Sequence, residues 1–99
     1  MKQTTICDGS VLVSVIVPTY NHATHLGRAL RSVFKQTYKN WELIVVDNHS
    51  TDNTEALVKS LNSSRIKYLK INNHGVIAVS RNAGIEAAEG EWVAFLDAD

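Results

Sequence analysis

Two carboxylates, Asp97 and Asp99, flank Ala98 directly after the apolar run Glu91-Trp92-Val93-Ala94-Phe95-Leu96. A run of this kind reads as a buried strand. Where the chain leaves the sheet, residues i and i+2 can both reach the crevice beyond the strand end. Paired hard oxygen ligands suit Mg²⁺ or Mn²⁺, and such cations commonly bridge to phosphate. Two more clusters carry usable groups: Pro18-Thr19-Tyr20-Asn21 and Asp47-Asn48-His49-Ser50. A carboxylate such as Asp47 only accepts hydrogen bonds, whereas the Asn48 amide both donates and accepts. Arg81 is a permanent cation suited to phosphate. His22 and His25 lie three apart, but no third ligand accompanies them. Because the carboxylate pair coincides with residue 99, the chain reads as a truncated domain, with part of an active site outside it.

Every one of these groups also has a plain structural use. Asp47 and Asn21 could cap helices. Asp97 and Asp99 could be solvated turn residues, Arg81 a surface charge and His74 a solvated turn residue. Trp41 and Trp92 open strands and are expected to pack in the core or at its rim.

Composition narrows the classes. Ninety-nine residues with 44% hydrophobic side chains suffice for one small core. Ten basic and ten acidic side chains cancel, which argues against nucleic acid as a partner, since that footprint needs a basic face. The single cysteine, Cys7, allows neither an internal disulfide nor a cysteine zinc cluster. That fits a reducing compartment, so the expected location is cytoplasmic, with the membrane surface left open for the full-length protein. No apolar run approaches the ~20 residues of a membrane span. Lys2 and the run Val11–Val17 hint at a signal peptide, but Ser14 and Pro18 interrupt it and no cleavage pattern follows.

Residues 1–10 are polar and aperiodic and read as a flexible tail, leaving 11–99 as the domain. Val11–Val17 is apolar on both faces, as in a covered parallel strand, and Pro18 is expected to end it. Leu26, Ala29, Leu30, Val33 and Phe34 recur at helical spacing over Ala23–Gln36. Trp41–Val46 is the second strand. Ser50-Thr51-Asp52-Asn53 supplies capping residues for a helix reaching about Leu61. Arg65–Ile71 alternates and reads as a strand nearer an edge, with a turn at Asn72–Gly75. Val76–Glu89 reads as an alanine-rich helix stopped by Gly90, and Trp92–Leu96 as the fourth strand.

Alternating strands and helices imply an α/β fold: a Rossmann-like parallel sheet with right-handed crossovers, helices on both faces and strand order 3-2-1-4. Such sheets bind ligands beyond the carboxyl ends of their strands. Pro18–Asn21, Asp47–Ser50 and Asp97–Asp99 all fall at those ends, so a polar ligand is expected on that rim. The dinucleotide fingerprint and the phosphate-binding loop are both absent after the first strand.

The same residues resemble family 2 glycosyltransferases over roughly 12–99. The resemblance lies in Val13-Ser14-Val15-Ile16-Val17-Pro18-Thr19-Tyr20-Asn21, in Ser32–Tyr38, and in Trp41–Asp47 followed by Asn48–Thr54. Ser80-Arg81-Asn82-Ala83-Gly84 and Gly90–Asp99 complete it. It implies the N-terminal half of an A-type glycosyltransferase domain and inverting transfer from a nucleotide-diphosphate sugar, UDP-sugar favoured, to a hydroxyl of a saccharide or lipid-linked acceptor. It also implies a cation held on the diphosphate, with Asp99 as direct ligand and Asp97 as a second ligand or a contact to ribose or sugar. Pro18, Tyr20, Asn21, Asp47, Asn48 and Arg81 complete the expected nucleotide contacts, with Asp47 or Asn48 at the base. No residue of the chain is assigned as catalytic base, and the 99 residues alone are expected to be inactive.

Two departures stand out. Many members carry two aspartates and a glycine where this chain has Asp47-Asn48-His49. His49 therefore occupies a position where a positive φ is less comfortable, and Asn48 leaves the choice of base open. The rival readings are a phosphorylated receiver domain, which should carry an acidic pair after the first strand, and a non-catalytic nucleotide-binding or assembly module of the same fold. An uncovered fourth strand would also favour self-association.

Overall fold

A computed structural model describes residues 11–21, 23–61 and 63–96. The elements are β1 (Val13–Thr19), α1 (Ala23–Phe34), β2 (Trp41–Asn48), α2 (Thr54–Ser60), β3 (Ile66–Ile71), α3 (Ile77–Ala87) and β4 (Trp92–Phe95). They form one sheet in the order β3-β2-β1-β4. All three pairings are parallel, with Val13 opposite both Trp41 and Trp92, and Leu43 opposite Ile66. The expected topology is the observed one.

The strand period of two sorts the core onto two faces. Val13, Val15, Val17, Leu43, Val45, Ile66 and Tyr68 pack with Leu26, Leu30 and Val33 of α1 and Val58 of α2. Ile16, Ile44 and Val46 pack on the other face with Ala83 and Ala87 of α3. Two-sided cover explains why β1 and β2 are apolar nearly throughout. On the second face α3 lies close because Gly84 has no side chain: a Cβ there would stand 2.5 Å from Ile16 Cγ2.

Four details depart from the sequence expectation. Pro18 does not end β1, which continues to Thr19 with Pro18 opposite Val46. Val13 N–H donates to Asn40 O on the β2 side, and Ile16 O accepts from Leu96 N–H on the β4 side. Even-numbered residues of β1 therefore face β4, whose register with β1 ends at Ile16. The N–H that proline lacks lies on the β4 side, past the end of the β1–β4 register at Ile16, and the end of a ladder is where proline is tolerated in a sheet. Secondly, α3 ends at Ala87 with Ala88 as its C-cap, so Gly90 is not its stop. Gly90 is required by close approach, since a Cβ would meet Leu12 O and Ser14 Oγ, each at 2.6 Å. Thirdly, the helix starting at Ala23 ends at Phe34, two residues short of Gln36. Fourthly, Trp41 is buried, edge-on to Phe34 with the Arg65 guanidinium over its ring, whereas Trp92 is 44% exposed.

A polar network anchors the end of α3 to the amino end of the sheet. Ser14 Oγ–H donates to Glu42 Oε2 at 2.6 Å, and that oxygen also accepts the Glu89 N–H at 2.7 Å. Lys67 Nζ lies 3.2 Å from Glu42 Oε1 and donates to Ala87 O at 2.9 Å. Burial works against the charged Glu42 carboxylate, but the Glu89 N–H, the Ser14 hydroxyl and Lys67 together outweigh it and hold its pKa below the usual range.

Candidate functional site

The carboxyl ends of the strands form one rim, and side chains tie its loops together. Asn21, just past β1, is the central tie. Its Oδ1 accepts the N–H groups of Thr51 at 2.8 Å and Asp52 at 3.2 Å, and its own N–H donates to Ser50 Oγ at 2.8 Å. The loop after β2 returns the contact, because Asp52 Oδ2 accepts Ala23 N–H at 3.2 Å, at the start of α1. Asp52 Oδ1 accepts both the N–H and the hydroxyl of Thr54, which open α2. The Thr54 hydroxyl is the main reason that the Asp52 carboxyl sits below its ordinary pKa. One aspartate therefore serves two helix starts, and the cap of α1 comes from another loop instead of from Asn21.

Asp47 ends up beneath the rim. It is fully buried. Its Oδ1 accepts Ser50 N–H at 2.9 Å, which closes the turn after β2, and its Oδ2 accepts the Tyr68 hydroxyl from β3. Asp47 caps that turn and is not the N-cap of α2, a position held by Asn53. Burial, followed by the bond to Asp47, pushes the Tyr68 pKa well above its ordinary value. The next residue, Asn48, is half-buried, and its Oδ1 accepts Asn73 N–H at 2.9 Å from the loop after β3. Asn73 in turn holds Ser80 of α3 through Nδ2 at 2.9 Å and Gly75 N–H through Oδ1 at 2.8 Å.

Backbone strain concentrates on this rim. Among the described residues, the non-glycine positions with positive φ are Asn21 (51°), His49 (54°) and His74 (52°), one in each loop after β1, β2 and β3. Asn and His tolerate this region better than most side chains, and the surrounding hydrogen bonds hold them there. Tyr20 stands 53% exposed at the same edge, beside Pro18. Arg81, on the face of α3 toward β4, places its guanidinium 5.7 Å above the Phe95 ring. It is thereby held at the end of β4, two residues before Asp97.

Asp97 and Asp99 themselves lie outside the described residues, as do His22 and the tail 1–10. Among the described residues no group of three or more His, Cys, Asp or Glu side chains could hold a metal ion. Nor is any described helix long and apolar enough to cross a membrane. A cavity of about 280 Å³ lies away from the rim, between α1 and β4, lined by Val13, Val15, Val33, Phe95 and Leu96 among others. Its lining is mostly apolar, with Ser32, Gln36 and Tyr38 as its polar side chains, and it lies apart from the hydrogen-bonded loops of the rim, which is the better candidate site.

Tyr68, Asn73 and Asp52 were not visible in the sequence as site residues. Tyr68 follows the alternation of an ordinary core strand, and Asn73 sits in an unremarkable turn. Their roles come from partners 21, 25 and 29 positions away.

The family model described as "Glycosyl transferase family 2" matches residues 14–99. The chain belongs to that family. The UDP-Glc:alpha-D-GlcNAc-diphosphoundecaprenol beta-1,3-glucosyltransferase WfgD of Escherichia coli is 44% identical over 88 residues, covering 89% of this chain and 35% of that protein. S. aureus TarS in complex with UDP superposes with a TM-score of 0.80 at 38% identity, covering 88% of this chain and 27% of that one. The mannosyltransferase PcManGT from Pyrobaculum calidifontis, in complex with GDP-Man and Mn²⁺, superposes at 0.79 with 33% identity, covering 88% and 27%. The chain thus spans about a third of the length of the relatives it matches. The receiver-domain alternative falls with this assignment and with the acid-free loop after β1.

Proposed function

We propose that the rim binds the nucleotide diphosphate of a sugar donor, UDP-sugar favoured, in a protein that transfers the sugar with inversion to a hydroxyl of a saccharide or lipid-linked acceptor. The observation that carries this reading is the tied rim of a family 2 chain: three strained loops braced against one another by Asn21, Asp52 and Asn48. Preorganised polar loops beyond parallel strands are where such sheets take nucleotides. In this reading Tyr20 offers an exposed aromatic face to the base. Pro18 and Asn21 shape the wall beside it, and Asn48 reaches the base edge while Asp47 holds the turn beneath.

The diphosphate lies toward β4, where Arg81 supplies positive charge. Asp97 and Asp99 form a hard oxygen donor set that fits Mg²⁺ or Mn²⁺, supplying at most two of about six ligands. A bound cation would stabilise the charge that develops on the leaving diphosphate. In support, structural neighbours are complexes with UDP and with GDP-Man and Mn²⁺. The exposed Trp92, Val93 and Phe95 of the edge strand β4 favour self-association of the isolated chain. The single cysteine supports a reducing, cytoplasmic location, at the membrane surface where the acceptor is lipid-linked.

Calorimetry on the intact protein with UDP and Mn²⁺ tests the site. Asp99→Ala should weaken Mn²⁺-dependent UDP binding about tenfold or more, equivalent to ~1.4 kcal/mol, and by more than Asn48→Ala does. Asp99→Ala protein that binds both like the parent would show that Asp99 is not a metal ligand. Sugar release from a UDP-sugar in the presence of acceptor separates an enzyme from a binding module.

A further inference from the structure

We propose that the outer face of α1 docks the protein on an anionic phospholipid bilayer, through Arg28, Arg31 and Lys35. The inference is independent of the nucleotide reading above. Over residues 23–40 the chain carries no acidic side chain. Arg28, Arg31 and Lys35 follow one another at i, i+3 and i+7, which places them on one stripe of a helix. The Lys35 N–H donates to Arg31 O at 3.2 Å, so the helical turn runs on through Lys35. The stripe lies opposite Leu26, Leu30 and Val33, which are buried against the sheet. All three cations are exposed.

Charge is sorted over the molecule although the chain as a whole is neutral. Lys59 pairs with Glu55 at 2.7 Å, and Lys70 reaches the same carboxylate at 3.5 Å. Lys67 lies between Glu42 and Glu89. Arg65 and Arg81 sit over the rings of Trp41 and Phe95, and Lys39 donates to Phe34 O. Arg28, Arg31 and Lys35 meet no carboxylate among the described residues. Like charges one turn apart weaken a helix. The helix dipole offsets that cost for Arg31 and Lys35 in the last turn, but not for Arg28 in the middle.

A plane of lipid phosphates complements this stripe. The three positions span about 10 Å of helix, more than one phosphate covers, which suits many mobile headgroups better than one bound anion. Long aliphatic stems let Arg and Lys reach headgroups from a helix seated above them. Duplex nucleic acid calls for a basic domain, and this chain is neutral. Docking also orients the rim. As the crossover between the parallel strands β1 and β2, α1 runs back from the rim along the sheet. Seating its outer face on a bilayer lays the sheet parallel to the membrane, and the rim opens along the surface about one helix diameter, ~10 Å, above it.

The test is co-sedimentation of the intact protein with phosphatidylcholine vesicles, with and without phosphatidylglycerol. The parent should prefer the anionic vesicles. That preference should collapse between about 0.1 M and about 1 M salt, as the Debye length falls from about 10 Å to about 3 Å. Each cation should contribute about fivefold to the partition, so Arg28→Gln alone should lose about fivefold and the triple glutamine variant about a hundredfold. Glutamine keeps the helix propensity, and the variants should unfold at the parent's denaturant midpoint. A second variant joins Arg28→Gln and Arg31→Gln to Glu86→Gln and Glu91→Gln, two exposed acids of α3 and of the approach to β4. It keeps the parent's net charge and should still lose about 25-fold. Partition within about threefold of the parent's for the triple or the charge-balanced variant overturns the proposal. So does a parent that binds both kinds of vesicle equally, or one that binds polyglutamate or duplex DNA but no anionic vesicle.

Discussion

Tyr68→Phe removes one oxygen from β3 and should be felt beneath the rim. The lost hydroxyl donates to Asp47 Oδ2, and Asp47 is fully buried, so the carboxylate oxygen is left without its partner. Hydrogen bonds to charged groups contribute about 1.5–3 kcal/mol. Tyr68 itself is only half-buried, so water can partly replace the hydroxyl and the lower end applies, about 1.5–2 kcal/mol. For a chain of this size that corresponds to a fall in Tm of roughly 6–15 °C. Denaturant unfolding followed by Trp41 fluorescence measures the loss, since that indole is buried against Phe34 and Arg65. A cycle with Asp47→Asn should return a coupling of about 1 kcal/mol or more, because the two side chains share one bond. The same bond leaves an alkaline signature. The folded pKa of Tyr68 is raised above its ordinary 10.0, first by burial and then by Asp47. The folded state therefore holds the phenol proton more tightly than the unfolded one. That contribution is fully present below about pH 10 and is lost as pH rises above it. Tyr68→Phe should flatten this alkaline loss. A cost below about 0.5 kcal/mol, together with an unchanged alkaline limb, would refute the view that Tyr68 holds Asp47 in place.

Two further outcomes follow from the same geometry. Glu42 has a depressed folded pKa, so its contribution is present above its ordinary value of 4.5 and is lost as pH falls below that value through the lower folded one. Glu42→Gln should cost about 1–2 kcal/mol at neutral pH, with Lys67 discounted for its exposure, and should weaken the loss of stability as pH falls below 4.5 in urea titrations. Asn21→Gly keeps a residue comfortable at positive φ but removes the oxygen that holds two amides of the neighbouring loop. Hydrogen exchange at Thr51 and Asp52 should quicken about tenfold, and unchanged rates would mean that the two loops are not held by Asn21.

What the sequence determined by itself is what periodicity and punctuation encode. Apolar runs that are hydrophobic on both faces, separated by amphipathic segments, leave a covered parallel sheet as the economical arrangement. The observed order β3-β2-β1-β4 follows from that together with right-handed crossovers. The rim, too, was legible, because polar clusters that interrupt apolar strands at their carboxyl ends must lie on one side of a parallel sheet. Tertiary structure alone decided what each rim residue does. Asp47 and Asn48 are adjacent and of similar size, yet one is sealed under Tyr68 and the other is half-buried and holds the loop after β3. Asp52, which looks like a local cap, reaches back to α1, and Pro18, which looks like a strand end, sits inside β1 opposite Val46, past the end of the β1–β4 register. These assignments depend on which loops the fold brings within hydrogen-bond distance of one another. A hydrogen bond is decided by distance and direction, and partners 21 to 31 positions apart leave no local trace in the chain.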